Sequence, residues 1–517
     1  MILFKGGTII DGSGDQPFPG DILIEDEHIC QIGQDIDPGE AQVIDLTGRI
    51  ITPGFIDAHS HNDWFCLKPD KRPFFDPFLS QGITTLITGN CGFSAFGCSA
   101  DSPYISEVGG GLFHLSPSER YERCRDWLRE IDGQTSLNVA SLIGHGTART
   151  AVAGLQTTEL SEQQLADMMA ILEQGLIDGA AGISLGLMYA PGLFAPTEEL
   201  IEVARLCAKY DRILTIHPRA ESAISMSYPL LSKSHLIQAL EEIEQLVRST
   251  GCRTVYSHLI FVGRRSWKDL EPALKRLERL AEDGYEIGFD MYPFHFGASV
   301  ITVVLPDWYM KLSAEERQKP AVRLKLRAMV AVTTKLLGFG FSDMTIAYAG
   351  QDHPEYVGKT VVEIARLIDQ SPFEAYLKIC EDSDFKARVL MGSYQNDEIV
   401  ERLMKHPLSV YMTDAWYEEA GIQNASLDQA FLKFLELGRK HQMPLEQVIH
   451  KMSGQTAKRY QLGDRGLLKP DYKADLSILN EDLSLDMVFC NGIRVYDRAS
   501  GGLLEERHHV SQAISYR

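Results

Sequence analysis

The 517-residue sequence lacks several features that mark well-known classes of protein. No stretch reaches the roughly 18 uninterrupted apolar residues of a membrane-spanning helix. The opening "MILFKGGTII" has no basic segment followed by the apolar core of a secretion signal. None of the nine cysteines, which are spread from Cys30 to Cys490, forms a C-x-x-C pair. These absences argue against a disulfide framework and predict a soluble, unexported protein of the reducing cytoplasm.

Positive charge is also scarce. The chain has 50 Lys and Arg against 71 Asp and Glu, a formal net charge of −21, and no dense basic run. Nucleic acid and anionic membrane surfaces are therefore not expected as partners, whereas the acidity says little about a small-molecule substrate. Hydrophobic residues make up 44% of the chain, enough for one large domain and a smaller one. Nothing in the composition indicates an oligomeric state.

The hydrophobic pattern changes near residue 50. Before it, short strands alternate with turns, and the same texture returns from "GLLKPDYKADLSILN" onward. Between these ends, eight apolar strands alternate with amphipathic helices: "ITPGFIDAHSH", "GITTLITGN", "SLNVASLIGHG", "GAAGISLG", "RILTIHPR", "CRTVYSHLI", "YEIGFDMYP" and "LSVYMTDA". This pattern is typical of an α/β protein with a (β/α)₈ TIM-type barrel. A doubly wound open sheet is the alternative, but its Gly-rich phosphate turn is missing.

The same pattern predicts the domain boundaries. We expect residues 1–50 and 466–517 to form one small β-sandwich domain, and residues 51–465 to form the barrel. Residues 294–408, approximately, separate the seventh and eighth strands by far more than an ordinary loop. We interpret them as an insertion that contains the helix "VRLKLRAMVAVTTKLLG" and the extra strand "RVLMGS". In the barrel, Ser161 and Gln164 are expected to form a helix capping box, and Thr197 is expected to be an N-cap.

Residues that can bind metal follow the predicted barrel strands. Active sites of such barrels collect at the C-terminal strand ends, where seven candidates occur: His59, His61, Cys91, His145, His217, His258 and Asp414. Each of them taken alone is open to an ordinary structural explanation, and H-x-H is a weak motif. His59 and His61, two residues apart on a strand, point to the same side. The combined nitrogen, sulfur and oxygen donors suit zinc.

Several motifs in order, from residue 1 to about 492, resemble the D-aminoacylase (N-acyl-D-amino-acid deacylase) branch of the amidohydrolase superfamily. They are "GFIDAHSHND", "GITTLITGNCGFS", "GHGTAR", "GAAGISLGLMYAPG", "IHPRAE", "YSHLI", "DMYPF" and "DRGLLKPDYKADLSIL". Many amidohydrolases carry a carboxylated lysine on the fourth strand, but "AAGISLG" contains no lysine. The D-aminoacylase branch uses a second-strand cysteine instead, and Cys91 matches it.

The resemblance implies a zinc-dependent hydrolase of a linear amide C–N bond. It assigns Cys91, His217 and His258 to one tight metal site. His59 and His61, with Asp414, would form a second, weaker or empty site. Bound zinc lowers the pKa of its water to about 7, and Asp414 would take the water's proton and pass it to the departing nitrogen. The structural alternative for Asp414 is a helix cap.

The resemblance also suggests residues around the substrate. His145 and Tyr189 are candidates to hydrogen-bond the developing oxyanion, and packing is the alternative role for each. Arg219, Tyr292 and Ser299 occupy positions where the family makes substrate contacts.

Two positive charges of the family pattern are missing. The family has a lysine two residues after the sixth-strand histidine, where this chain has Ile260. It also has an arginine in an "HPRxYG" segment after the last strand, whereas "TDAWYEEAGIQNASL" contains Glu418 and Glu419. Arg264 or Arg265 could replace the lysine. Alternatively, the substrate lacks an α-carboxylate or carries an amine.

Two other functions are compatible with the fold. A cyclic amidase of the hydantoinase or dihydroorotase kind shares the barrel and the metal chemistry, but the missing lysine counts against it. A non-catalytic descendant would serve as an interaction protein, but the retained metal-binding side chains count against that interpretation.

Overall fold

The chain begins with the strands of a β domain. The computed structural model describes residues 1–110, 112–225, 227–229, 233–505 and 510–516. The first strands are β1 (Ile2–Ile9), β2 (Phe18–Glu25), β3 (His28–Gly33), β4 (Gln42–Asp45) and β5 (Arg49–Pro53). β5 ends three residues beyond the predicted domain boundary. The chain then enters the barrel at Gly54, where a Cβ atom would lie only 2.2 Å from Oγ1 of Thr84.

Parallel strands and helices then alternate, as the sequence predicts. The strands are β6 (Phe55–Asp57), β7 (Ile83–Thr88), β8 (Asn138–Ser141), β9 (Ile143–Gly144), β10 (Gly182–Gly186), β11 (Ile213–His217), β12 (Thr254–Tyr256) and β13 (Ile287–Met291). The helices are α1 (Arg72–Leu79), α2 (Cys124–Ile131), α3 (His145–Ala153), α4 (Glu162–Ile177), α5 (Thr197–Lys209), α6 (His235–Thr250) and α7 (Leu270–Glu282).

One of the two predicted caps is correct. Ser161 and Gln164 form the capping box at the start of α4. Thr197 is not the N-cap of α5 but its first residue, because Pro196 holds the extended cap position. The Thr197 hydroxyl instead donates to Oε1 of Glu242, at 3.1 Å.

The insertion forms a subdomain of its own. Its strands β14 (Gly297–Val300), β15 (Met344–Tyr348) and β16 (Arg388–Met391) pair antiparallel in the order β14-β16-β15. Its helices are α8 (Asp307–Met310), α9 (Ala314–Arg317), α10 (Pro320–Leu337), α11 (Val361–Leu367), α12 (Pro372–Asp382) and α13 (Asp397–Met404). The predicted helix and extra strand correspond to α10 and β16.

The last parallel strand closes the barrel. This strand, β17 (Ser409–Tyr411), precedes α14 (Ser426–Lys440), α15 (Leu445–Met452) and α16 (Gly454–Arg459). β17 pairs with β13, and the N–H of Ala58 beyond β6 donates to the carbonyl of Tyr411, at 3.2 Å. β8 and β9 act as one strand interrupted at Leu142, whose N–H donates to Thr88. Eight parallel strand positions therefore form a closed ring, which confirms the predicted barrel.

The C-terminal strands complete the β domain. They are β18 (Leu476–Asn480), β19 (Leu485–Cys490), β20 (Ile493–Asp497) and β21 (Gly502–Leu503), and β18 pairs with β5. Phe4 on β1 contacts Phe489 on β19, with ring centroids 5.0 Å apart, although β5 and β18 lie between them in the sheet. Three strand spacings in a flat sheet would be about 14 Å. The sheet therefore folds over its own core, in the manner of a sandwich.

Short 3₁₀ helices complete the described secondary structure: Asn62–Phe65, Ile105–Glu107, Pro117–Glu119, Gly192–Phe194, Arg264–Asp269, Ile301–Val304, Phe341–Asp343, Pro354–Tyr356 and Arg498–Ser500. Within the described ranges, no helix combines the length and the apolar content that crossing a membrane requires.

Candidate metal centre and active site

A buried cysteine lies at the centre of the candidate site. Sγ of Cys91 is 3.3 Å from Nε2 of His59 and 3.6 Å from Nε2 of His258. The three side chains come from the ends of β7, β6 and β12, and all of them are buried. Their ligand atoms lie within 4.8 Å of one another, close enough to bind one ion.

Two further groups of donors extend this cluster. Nε2 of His59 and Nε2 of His61 each lie 3.5 Å from Oδ1 of Asp414. On the other side, His217 and His258 group with the carboxylate of Glu221. The rings of His217 and His258 are in edge contact, with centroids 4.3 Å apart.

The six predicted metal ligands therefore lie together at one end of the barrel. His59 contributes to two of the three groups and links the Cys91 side to the Asp414 side. The division into a tight and a weaker site stays a prediction. Glu221 is a further candidate donor that was not predicted from the sequence.

The backbone is unusual at three of these residues. Cys91, His258 and Asp414 have φ angles of 54°, 35° and 50°, in the left-handed region that side chains rarely adopt. Each follows a barrel strand, and the N–H of Asp414 donates to the carbonyl of His59, at 3.0 Å. Such conformations cluster at functional sites, where the surrounding structure maintains them.

Two carboxylates lie behind the histidines. Asp290, at the end of β13, accepts a hydrogen bond from the N–H of His258, and its Oδ2 lies 3.3 Å from Nδ1 of His59. Oε1 of Glu221 lies 2.5 Å from Nδ1 of His258. Carboxylates in this position fix the ring orientation of metal-binding histidines. Asp290 lies at the end of a barrel strand, in "DMYPF", and Glu221 follows another barrel strand, in "IHPRAE". Their positions at the strand ends could have identified them from the sequence.

The electrostatics of the site favour the ionised forms of its acids. Burial raises the pKa of the Cys91 thiol, but the neighbouring His59 and His217 outweigh it and bring the pKa well below its ordinary value. Burial likewise raises the pKa of Asp414, but the hydrogen bond to His61 and the charge of His59 lower it overall. A thiolate and a carboxylate are the forms in which these residues bind metal.

The side chains present fit a zinc ion. Both ring nitrogens of His217 and Nδ1 of His61 are buried and have no hydrogen-bond partner among the described residues. Buried polar atoms normally have such partners, so a ring nitrogen of His217 is free to coordinate an ion, whereas His61 would use Nε2, the nitrogen that faces Asp414. The set of one thiolate, several imidazoles and carboxylates is the set that zinc prefers in proteins.

Comparisons with known proteins agree with this geometry. A model of the amidohydrolase family matches residues 42–213. N-acyl-D-aspartate deacylase of Alcaligenes xylosoxydans xylosoxydans is 28% identical over 488 residues, which cover 92% of this chain and 85% of that relative.

Solved structures agree over the whole length. A D-aminoacylase structure is 25% identical, with a TM-score of 0.79, and the match covers 100% of this chain and 99% of that one. N-acyl-D-glutamate deacylase of Bordetella bronchiseptica, solved with zinc and a phosphonate inhibitor, has a TM-score of 0.77 at 24% identity, with 99% of each chain covered. The chain is thus similar to D-aminoacylases and N-acyl-D-amino-acid deacylases over nearly its whole length. The resemblance that the motifs indicate is thereby confirmed.

Tyr189 and Tyr292 lie beside the candidate metal ligands. The hydroxyl of Tyr189 donates to the carbonyl of Cys91, at 2.7 Å, and its ring is in edge contact with His217. The hydroxyl of Tyr292 is buried and has no hydrogen-bond partner among the described residues. Ser299, on β14, hydrogen-bonds Tyr394. Tyr292 is thus the better placed of the two tyrosines to donate to a substrate.

His145 belongs to a neighbouring buried network. Its Nε2 lies 2.8 Å from Oε1 of Glu199, which also accepts from Nε of Arg149, at 3.1 Å. None of the donor groups found among the described residues includes His145. That His145 hydrogen-bonds the developing oxyanion stays a prediction.

Two of the three predicted substrate-binding arginines already have side-chain partners. Arg219 donates to both carboxylate oxygens of Glu242 and to the carbonyls of Leu193 and Ala195. Arg264 is more than half exposed and makes a bidentate contact with Asp343, at 2.8 and 3.2 Å. Arg265 is exposed. Contacts of these arginines with substrate stay predictions.

Proposed function

We propose that the chain is a zinc-dependent deacylase that hydrolyses the amide bond of N-acyl-D-amino acids. The observation that carries this proposal is the buried cluster in which Cys91 contacts His59 and His258, with Asp414 on its open side. The relatives supply the substrate class, since those described above are named as D-aminoacylase and as deacylases of N-acyl-D-amino acids.

Cys91, His217 and His258 would hold the principal zinc ion, and His59 and His61 with Asp414 would offer a second site. When bound, zinc acidifies water and polarises the carbonyl of the scissile amide. Glu221 and Asp290 keep the rings of His258 and His59 in the orientation that coordination needs.

Asp414 is the residue that moves the proton. Its side chain remains 23% exposed, whereas His59 is fully buried, so a substrate can reach the carboxylate. It would accept the proton of the attacking water and return it to the amide nitrogen as the C–N bond breaks. Protonation matters because an unprotonated amide nitrogen is a poor leaving group.

The tyrosines have different tasks in this proposal. The free hydroxyl of Tyr292 would donate to the carbonyl oxygen as negative charge develops on it. The hydroxyl of Tyr189 is held by the carbonyl of Cys91, so Tyr189 maintains the left-handed turn that presents the thiolate.

A substrate panel with purified protein of known zinc content tests the proposal. The panel pairs N-acetyl-D- and N-acetyl-L-amino acids, and adds a hydantoin to represent the cyclic amides. We expect turnover of the D compounds that is lost with a chelator and restored by zinc. Turnover of the hydantoin alone, or protein that neither contains zinc nor responds to it, would contradict the proposal.

A further inference from the structure

Cys91 lies in a turn whose backbone is held by side chains of other elements. The turn, residues 89–92, follows β7 and has left-handed φ angles of 73°, 54° and 79° at Gly89, Cys91 and Gly92. A turn of this shape cannot continue the hydrogen bonding of the strand, so its N–H and carbonyl groups need partners elsewhere. The positions of these partners decide where the thiol of Cys91 points.

Ser184 supplies two of these partners. It lies in the middle of β10, the fourth strand of the barrel, and is fully buried. Its hydroxyl accepts a hydrogen bond from the N–H of Gly92, at 3.0 Å, and donates one to the carbonyl of Gly89, at 2.5 Å. A hydroxyl group can donate and accept at the same time. This single oxygen atom therefore bridges the two glycines on either side of Asn90 and Cys91.

The backbone of β10 lies against the same turn. At Gly186, the last residue of β10, a Cβ atom would lie only 2.1 Å from the carbonyl oxygen of Cys91. That carbonyl accepts the hydrogen bond from the hydroxyl of Tyr189, which follows β10 in the chain. β10 and the residue Tyr189 after it therefore contact the turn at Gly89, Cys91 and Gly92.

A carboxylate holds the ends of the segment that contains this turn. Oδ1 of Asp63 accepts a hydrogen bond from the N–H of Gly89, at 3.2 Å, and Oδ2 accepts one from the N–H of Ala95, at 2.9 Å. Asp63 is buried and lies two residues after His61. Asp63 therefore fixes where the segment begins and ends, and Ser184 fixes the shape of the turn within it.

The shape of the turn matters because the thiol has close neighbours. Sγ of Cys91 lies 3.3 Å from Nε2 of His59 and 3.6 Å from Nε2 of His258. Coordination distances in well-formed metal sites vary by only about 0.2 Å. Without the hydroxyl of Ser184, two backbone groups of the turn would lose their partner in the protein interior. The turn would then change its conformation to recover hydrogen bonds, and the thiol would move with it.

We propose that Ser184 is a positioning residue of the metal centre: its hydroxyl holds the turn in the conformation that presents the thiolate of Cys91 to zinc. This inference rests on the zinc site of the proposed function. β10 contains no lysine, and its contribution to metal binding is indirect. The strand orients a ligand that comes from the end of β7.

Ser184→Ala tests the inference, because it removes one oxygen atom and with it both hydrogen bonds. The zinc affinity, measured by competition with a chromogenic chelator, should fall about 10- to 100-fold, the usual effect of removing a group that orients a ligand. Cobalt-substituted protein gives a second measurement, since a thiolate bound to Co²⁺ has a charge-transfer absorption in the near ultraviolet. This absorption should be weaker in Ser184→Ala even at saturating Co²⁺. Ser184→Thr keeps the hydroxyl and should restore both properties.

Ser477→Ala is the matched control. Ser477, on β18, is also fully buried, and its hydroxyl donates to the carbonyl of Gly82, at 2.7 Å, just before β7 begins. The two serines thus bind glycine carbonyls at opposite ends of β7, and Ser184 is the one at the metal-binding end. Both variants should lower the midpoint of thermal unfolding of the zinc-free protein. Ser477→Ala should keep the wild-type zinc affinity and cobalt spectrum.

Three results would overturn the inference. The first is a wild-type zinc affinity and cobalt spectrum in Ser184→Ala. The second is an equal loss of zinc affinity in Ser184→Ala and Ser477→Ala, or a Ser184→Ala protein that does not fold without zinc, since either would assign the hydroxyl to the fold. The third is a zinc affinity as weak in Ser184→Thr as in Ser184→Ala. All of these measurements are made without substrate, so a zinc-binding wild type that hydrolyses no N-acyl-D-amino acid would reject the proposed substrate class alone.

Discussion

Oε1 of Glu221 lies 2.5 Å from Nδ1 of His258, on the far side of the imidazole from the nitrogen that faces Cys91. The two ring nitrogens therefore have separate tasks. Nδ1 is held by the carboxylate, and Nε2 is left to coordinate. A carboxylate in this position fixes the tautomer and increases the basicity of the ligand.

Glu221→Gln should weaken zinc binding by about 10- to 100-fold, because an amide holds the ring without the charge of the carboxylate. Competition with a chromogenic chelator measures the zinc affinity directly, independently of activity. Glu119→Gln provides the control, since Glu119 is equally buried but pairs with Lys68. An unchanged zinc affinity in Glu221→Gln would show that the carboxylate does not support the metal site.

Cys91→Ala should deplete zinc and abolish turnover, because the thiolate is the one sulfur donor in the cluster. Elemental analysis of the purified protein measures the metal content. Cys98→Ala is the matched control, since Cys98 is also buried and lies on the same loop, outside the donor groups of the described residues. Normal zinc content in Cys91→Ala would refute the role of Cys91 as a ligand.

Glu199 should contribute stability that depends on pH. Burial raises its pKa, but the hydrogen bond from His145 and the charge of Arg149 outweigh this, so the pKa is lower in the folded protein. The contribution is complete above the unfolded value of about 4.3 and is lost as the pH falls through the folded pKa.

Glu199→Gln should lower the free energy of unfolding by about 3 kcal/mol at pH 7, because Arg149 stays buried without its carboxylate. Urea unfolding at pH 7 and pH 4 measures the effect. The wild type should lose more stability than the variant between these two pH values. A decline of equal size in both proteins would contradict the assignment of this pH dependence to Glu199.

The strand pattern was sufficient to predict the barrel and to place the six candidate metal ligands at one end of it, because each strand and the polar residue after it are local features of the sequence. The contacts of Glu221 and Asp290 were not predictable in this way. Glu221 contacts His258, which is 37 positions later in the chain, and Asp290 contacts His59, which is 231 positions earlier. Such contacts depend on how elements that are distant in the sequence pack against each other. The hydrophobic periodicity of the sequence does not reveal that packing.

Asp414→Asn should reduce kcat by about 10²- to 10⁴-fold, the usual contribution of a proton-transfer group. Asparagine is the appropriate substitute, because Asp414 has a φ of 50° and asparagine tolerates the left-handed region. The fold should therefore be preserved, and the loss should appear in kcat with both good and poor acyl substrates.

Asp178→Asn separates this effect from a general loss of stability. Asp178 is buried at the end of α4 and pairs with Arg123 through two contacts of 2.6 Å, far along the chain from the site. Its replacement should lower the midpoint of thermal unfolding but leave kcat unchanged. If Asp414→Asn retained wild-type kcat with normal zinc content, the proton would have to be moved by another group, and the buried hydroxyl of Tyr292 would be the first residue to test.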